Sequence, residues 1–309
     1  MNNRIKGIHH VTSIVGKAQE NVDCYTEILG LRLVKKTVNF DDPGTYHLYF
    51  GDQEGSPGTV ITTFPYEDAR PGRIGDGQVG ITTYLVDEGA LEFWKKRLDI
   101  NKISHNKSNR FGEDFIEFSD VHGLKLELVE RKDGPKSKWS SHGIDQDLAI
   151  KGFGGAVLYS SSPKDTAYTL EHIFGLEKIG EEGDYIRFKA YGNIGNIIDI
   201  KKTSSGKGIN SVGTVHHIAW STKDESEQLQ WQKLLRKNGF SVTDVRDRNY
   251  FKSIYFREKG GILFEIATEE PGFAVDEDLE SLGNELKLPP QHERLRDQLE
   301  KSLSPIKKG

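Results

Sequence analysis

The feature that most restricts this chain is a unit repeated four times. Each unit has a short apolar strand, an amphipathic helix that stops at Gly, Asn or Asp, and three strand-like runs separated by turn residues. A βαβββ unit of this kind makes a sheet with one apolar face, which it cannot bury alone. Units must therefore pair, rolling their sheets into an open, cupped barrel with room for a ligand between them.

In the first unit the spacing predicts a strand over 7–15, a helix over 18–29 capped at Gly30, and strands over 31–40, 46–50 and 59–64, with a turn at 41–44. The second unit predicts a strand over 79–86, a helix over 88–98 and strands over 103–108, 111–118 and 124–129. The third reads as strand 155–160, helix 165–174 and strands 177–180, 185–190 and 196–200. The fourth reads as strand 214–220, helix 225–237 and strands 240–245, 251–256 and 262–267. A polar run without periodicity, 131–147, separates units two and three. The expected class is α+β, with an N-terminal domain at 5–131 holding units one and two and a C-terminal domain at 151–270 holding units three and four. A tail at 271–309 carries a surface helix over 292–303.

A chain of 309 residues can build two such cores without staples. Its single cysteine, Cys24, cannot form an internal disulfide, which fits a reducing compartment, and its place in a helix suits a small half-buried hydrophobe better than a redox group. No stretch has the apolar length of a signal peptide core or a membrane span, and a net charge of -5 offers no footprint for nucleic acid. The expectation is a cytoplasmic protein acting on a small molecule, with no nucleic-acid or membrane partner. A homodimer is one arrangement left open.

A double histidine opens two of the four units, at His9–His10 and His216–His217. Alternation along a strand puts His10 on a face with Thr12 and His217 on a face with Ala219, while His9 and His216 nominally point the other way. The last strand of unit four contains Glu265 among apolar neighbours, where a carboxylate is costly unless a cation or metal pairs with it. Glu127 and Asp199 hold similar places in units two and three, but those units do not open with histidine, so both read as structural. Two imidazoles and one carboxylate form the donor set of non-haem iron(II) sites that keep open positions for substrate and O₂; zinc, manganese and nickel suit the same donors.

The runs LGLRLVKKTVNFDDPGTYHLYFGD, SPGTVITTFPY, VHHIAW and FKSIYFREKGGILFEIATEEPGF carry a resemblance over about residues 5–270. The chain resembles the vicinal oxygen chelate superfamily, and within it the bacterial ring-cleaving dioxygenases associated with hydroquinones. The resemblance implies a fold of paired βαβββ units around one metal, with unit one joined to unit four and units two and three forming a metal-free partner. It implies His10, His217 and Glu265 as ligands, iron(II) as the metal, and an aromatic diol and O₂ as substrates, both oxygen atoms entering the opened ring. It also places His9, Thr12, His216, Arg248 and Tyr255 near the substrate, with Tyr255 donating a hydrogen bond, Arg248 stabilising negative oxygen, and His9 or His216 moving a proton if a twist or bulge turns them inward. Arg246 and Arg257 are alternatives to Arg248, and Trp220 and Phe251 are expected to pack the walls. Two rival readings are a lyase or hydrolase acting on a thiol adduct, which needs a cationic pocket, and a metal-dependent protein that sequesters an aromatic without turnover.

Overall fold

The structure, a computed structural model, describes residues 4–307. Unit one comprises β1 (Ile8–Val15), α1 (Ala18–Asp23, continued by a wider π-helical turn, Cys24–Ile28), β2 (Arg32–Val38), β3 (Tyr46–Gly51) and β4 (Val60–Pro65). Unit two comprises β5 (Gln78–Val86), α2 (Leu91–Ile100), β6 (His105–Arg110), β7 (Glu113–Ser119) and β8 (Lys125–Glu130). Unit three comprises β9 (Gly152–Tyr159), α3 (Pro163–Tyr168, continued by the π-helical turn Thr169–Ile173), β10 (Glu177–Glu182), β11 (Tyr185–Lys189) and β12 (Ile197–Lys201). Unit four comprises β13 (Thr214–Thr222), α4 (Glu225–Lys237), β14 (Arg246–Asp247), β15 (Phe251–Arg257) and β16 (Leu263–Pro271). Each helix packs an apolar stripe onto its sheet; Gly30, left-handed with φ 70°, ends the first.

One eight-stranded sheet has the order β14-β15-β16-β13-β1-β4-β3-β2, the other β10-β11-β12-β9-β5-β8-β7-β6. The seams are antiparallel pairings of first strands, β1 with β13 and β5 with β9. Unit one is thus continuous with unit four, and unit two with unit three. The sheets cross the polar run at 131–147, and neither 5–131 nor 151–270 closes a sheet of its own. The physical reason lies in the first strands: each unit leaves the outer edge of its first strand bare, and an antiparallel partner satisfies its N–H and C=O groups. Sequential neighbours interlock differently. In unit two the buried Asp120 accepts a hydrogen bond from Tyr25 of the first helix at 3.1 Å, and in unit four Glu258 accepts one from Thr166 of the third at 2.8 Å.

Two segments differ from expectation. Residues 240–245 do not form a regular strand, because the Tyr255 N–H donates to the Thr243 hydroxyl at 3.0 Å instead of to a ladder carbonyl; only β14 and a bridge between Val242 and Phe256 remain. The tail does end in a short helix, α5 (Arg296–Ser302), but residues 273–288 are built into the first sheet. Leu286 bridges to Lys36, and the fully buried Lys35 ammonium lies 2.5 Å from both Asp276 and Glu277. Among the described residues no helix is long and apolar enough to cross a membrane.

Candidate metal centre and active site

Two lateral rows of side chains define the concave face of the first sheet. One row runs Val60, His10, Ala219, Glu265, Tyr255 across β4, β1, β13, β16 and β15. The next runs Tyr49, Thr62, Thr12, His217 across β3, β4, β1 and β13. His10 and Glu265 therefore flank Ala219, whose side chain is only a methyl group, and His217 stands two residues before it on the same strand. All three potential ligands are buried, and their donor atoms converge above Ala219.

The distances are those of donors arranged around a shared point. His10 Nε2 lies 3.4 Å from His217 Nε2 and 3.4 Å from Glu265 Oε2, and His217 Nε2 lies 2.8 Å from Glu265 Oε2. Donors held about 2.1 Å from one ion stand roughly 3.0–3.4 Å apart, the range from right-angled to tetrahedral geometry. Although the His217 approach to Oε2 is short, it does not align as a hydrogen bond, and Oε2 is a buried oxygen with no hydrogen-bond partner. The other carboxylate oxygen is satisfied, accepting from Ser253 Oγ at 2.5 Å. One oxygen anchored and one left over suits a monodentate ligand, so the residues fit a divalent metal.

The first histidine of each pair orients the second. Two β-bulges in the seam between β1 and β13 leave His9 and His216 unopposed and turn each ring toward its neighbour. His9 Nδ1 lies 2.9 Å from His10 Nδ1, and His216 Nδ1 lies 2.8 Å from His217 Nδ1. Burial, with the adjacent ring adding to it, lowers both His9 and His216 to about 3, so each is a neutral acceptor. The His10 and His217 Nδ1–H groups then donate to them, leaving both Nε2 lone pairs aimed at the shared point.

His10 and His217 line a cavity of about 540 Å³, with Glu265 buried beside them. His216, Arg248, Tyr255 and Phe251 line it. Arg246 and Arg257 are exposed and outside its wall. Three residues sit elsewhere than expected. His9 lies behind His10 and faces a separate cavity of about 180 Å³. Thr12 is fully buried and bonds to Thr62 at 2.8 Å, outside the cavity wall. Trp220 is on the opposite face of its strand, in the core against Phe174 and Phe264. Several wall residues carried no sequence signal. His47 bonds through Nε2 to Thr62 and through Nδ1 to Tyr49, both at 2.8 Å, and the linkers between units contribute Tyr66, Asn210 and Ser211.

Among the described residues the second sheet holds no comparable cluster. Its middle is filled by Arg110, which forks onto Glu127 at 3.0 and 2.8 Å and reaches Asp199 at 2.7 Å, and by Arg187, which forks onto Asp199 at 2.8 and 2.9 Å. The remaining space is about 10 Å³. Glu127 and Asp199 are structural, paired with buried guanidinium groups.

The family model described as the Glyoxalase/Bleomycin resistance protein/Dioxygenase superfamily matches residues 7–128 and again 152–266. The chain belongs to this vicinal oxygen chelate superfamily. Within the superfamily, it is 56% identical over 306 residues to MhqO of Bacillus subtilis (strain 168), described as a candidate ring-cleaving dioxygenase, covering 99% of this chain and 98% of the relative. It is 33% identical over 312 residues to a chlorohydroquinone/hydroquinone 1,2-dioxygenase of Sphingobium indicum, covering 97% of each. A crystal structure of a dioxygenase candidate from Bacillus subtilis strain 168 superposes with a TM-score of 0.98 at 56% identity, covering 99% of this chain and 98% of that one.

Proposed function

We propose that this superfamily member is an iron(II)-dependent dioxygenase that opens the ring of hydroquinone or catechol-like aromatics, with both atoms of O₂ entering the product. The observation that carries the reading is the convergence of His10, His217 and the buried Glu265, with both histidines opening onto a cavity walled by Phe40, Phe64, Phe251 and Ile14. The hydroquinone dioxygenase among the relatives supports the substrate class. Bound iron(II) supplies the one-electron chemistry that couples an ionised diol to dioxygen, which zinc cannot.

The protein's own groups then have distinct tasks. The flat, apolar walls take an aromatic ring and exclude water. Tyr255 faces Glu265 across the strand pair, and its hydroxyl accepts from Arg248 Nε at 3.3 Å, which leaves the phenolic hydrogen to donate to a substrate oxygen. Burial and the Glu265 charge push the Tyr255 hydroxyl up against the opposing pull of Arg248, so it stays protonated as a donor. Arg248 stays charged, its burial offset by the hydrogen bonds it donates to the Asp41 carboxylate and the Tyr255 hydroxyl, and it adds positive potential where the diol ionises. The thiol-adduct reading lacks the cationic pocket it needs. Among the described residues of the cavity wall Arg248 is the only lysine or arginine, and Asp41 and Asp42 stand beside it.

Anaerobic iron(II) loading followed by an oxygen-electrode assay with hydroquinone, methylhydroquinone and catechol tests the reading. Stoichiometric O₂ uptake with ring-opened product is expected. No uptake from a sample with confirmed iron content would overturn it. In the same assay Tyr255→Phe should keep its iron and lose about 100- to 1,000-fold in turnover.

A further inference from the structure

Arg248 is held on three sides at the mouth of the cavity. Its Nη2 donates to Asp41 Oδ2 at 2.9 Å, and its guanidinium carbon lies 5.5 Å from the Phe40 ring centre and 5.6 Å from that of Tyr255. Phe40 and Asp41 come from the turn between β2 and β3 of unit one, while Arg248 and Tyr255 come from unit four, so the contact spans the mouth. The Arg248 side chain is 15% exposed and that of Asp41 64%. Asp42, beside it, accepts from the hydroxyls of Thr45 at 3.2 Å and Tyr66 at 3.3 Å. The mouth therefore holds one cation, already paired, and two carboxylates.

We propose that Asp41 is a specificity-determining residue: by occupying Arg248 it reserves the cavity for uncharged aromatic diols and excludes those bearing a carboxylate. A ring carboxylate entering here finds no unpaired cation and approaches two like charges, and it must shed water to pass the aromatic walls. Without the Asp41 charge, Arg248 stays clamped between two rings and presents a fixed fork that matches a carboxylate. The inference names the substrate class for the dioxygenase reading and rests on it, but it is tested by binding, independently of turnover.

The probes are methylhydroquinone and 2,5-dihydroxybenzoate, titrated calorimetrically and anaerobically into iron(II)-loaded wild type, Asp41→Asn, and Asp41→Asn combined with Arg248→Met. Wild type is expected to bind the neutral diol on the order of 100-fold more tightly. Asp41→Asn should narrow that ratio about 10-fold by tightening the carboxylate, a gain that shrinks with added salt and disappears when Arg248 is also replaced. Three results would overturn the proposal: equal affinities in wild type, an unchanged carboxylate affinity in Asp41→Asn, or equal weakening of both ligands, which would make Asp41 only a brace. Absence of oxygen uptake alongside the expected binding pattern would count against the dioxygenase reading and leave the charge filter standing.

Discussion

Ser253 shows how a single hydroxyl can prepare a ligand. It anchors one oxygen of Glu265 and thereby turns the other toward the two histidines. Ser253→Ala should lower iron or zinc affinity by about 10- to 100-fold with the fold intact, read by titration against a competing chelator; unchanged affinity would remove its role. Cys24 makes the opposite case, a reactive group kept inert. Burial, with Asp120 nearby, raises its thiol to about 12. A raised folded value means that the native state keeps a proton which the unfolded chain sheds above its ordinary value of 9.0, so this contribution to stability is lost as pH rises from 9 toward 12. Iodoacetamide at pH 8.5 should label the unfolded chain promptly and the native protein very slowly, and native labelling at the rate of a free thiol would contradict the burial. The two histidine pairs and Glu265 were legible in the sequence because they break the apolar pattern of the repeats, and the resemblance singled out His10 and His217 within the pairs. Ser253, His47 and Asp41 were not, because each is an ordinary polar residue whose meaning comes from its tertiary partner: Glu265 on the adjacent strand for Ser253, Thr62 for His47 and Arg248 across the cavity mouth for Asp41.

At the scale of elements, the centre depends on register. Ala219 lies between His10 and Glu265 in one row, and the space above its methyl group is where the three donors meet. Ala219→Leu should fill that space and abolish metal stoichiometry, at a folding cost of about 1–3 kcal/mol from overpacking, while Ala219→Gly should keep its metal. Metal analysis with a urea titration separates the two effects; full iron content in the leucine variant would place the centre elsewhere. The bulges at His9 and His216 were invisible to an alternation argument, which assigns successive side chains to opposite faces. An extra residue in each strand breaks that rule locally, and it is why both histidines of each pair work together.

At the scale of the molecule, the tail after β16 is a strap. Residues 273–288 run back to β2, where Lys35 is enclosed by Asp276 and Glu277 and the Tyr250 hydroxyl donates to Asp276 at 3.0 Å. Lys35→Met removes the buried ammonium that bonds both Asp276 and Glu277 and leaves the buried Glu277 carboxylate without its direct partner, so it should cost about 3–5 kcal/mol. A urea midpoint unchanged from wild type would show that the strap adds nothing to the closed sheet. The order of units is also a property of the whole. Unit four returns to cover the bare edge of unit one, so residues more than two hundred positions apart become neighbours, and the polar run at 131–147 marks a break in sequence pattern that the sheets do not follow.

The periodicity of apolar residues and the placement of turn formers determined the βαβββ units, because local hydrogen bonding and burial act over a few residues. The doubled histidines and the isolated glutamate likewise announced a metal, since such groups are costly in apolar strands without one. Only the tertiary structure decided how the first histidine of each pair turns onto the second, which polar residues complete the wall, and how Arg248 is paired with Asp41. Those outcomes depend on bulges and on contacts between units, where the determining partner lies far along the chain and leaves no local trace.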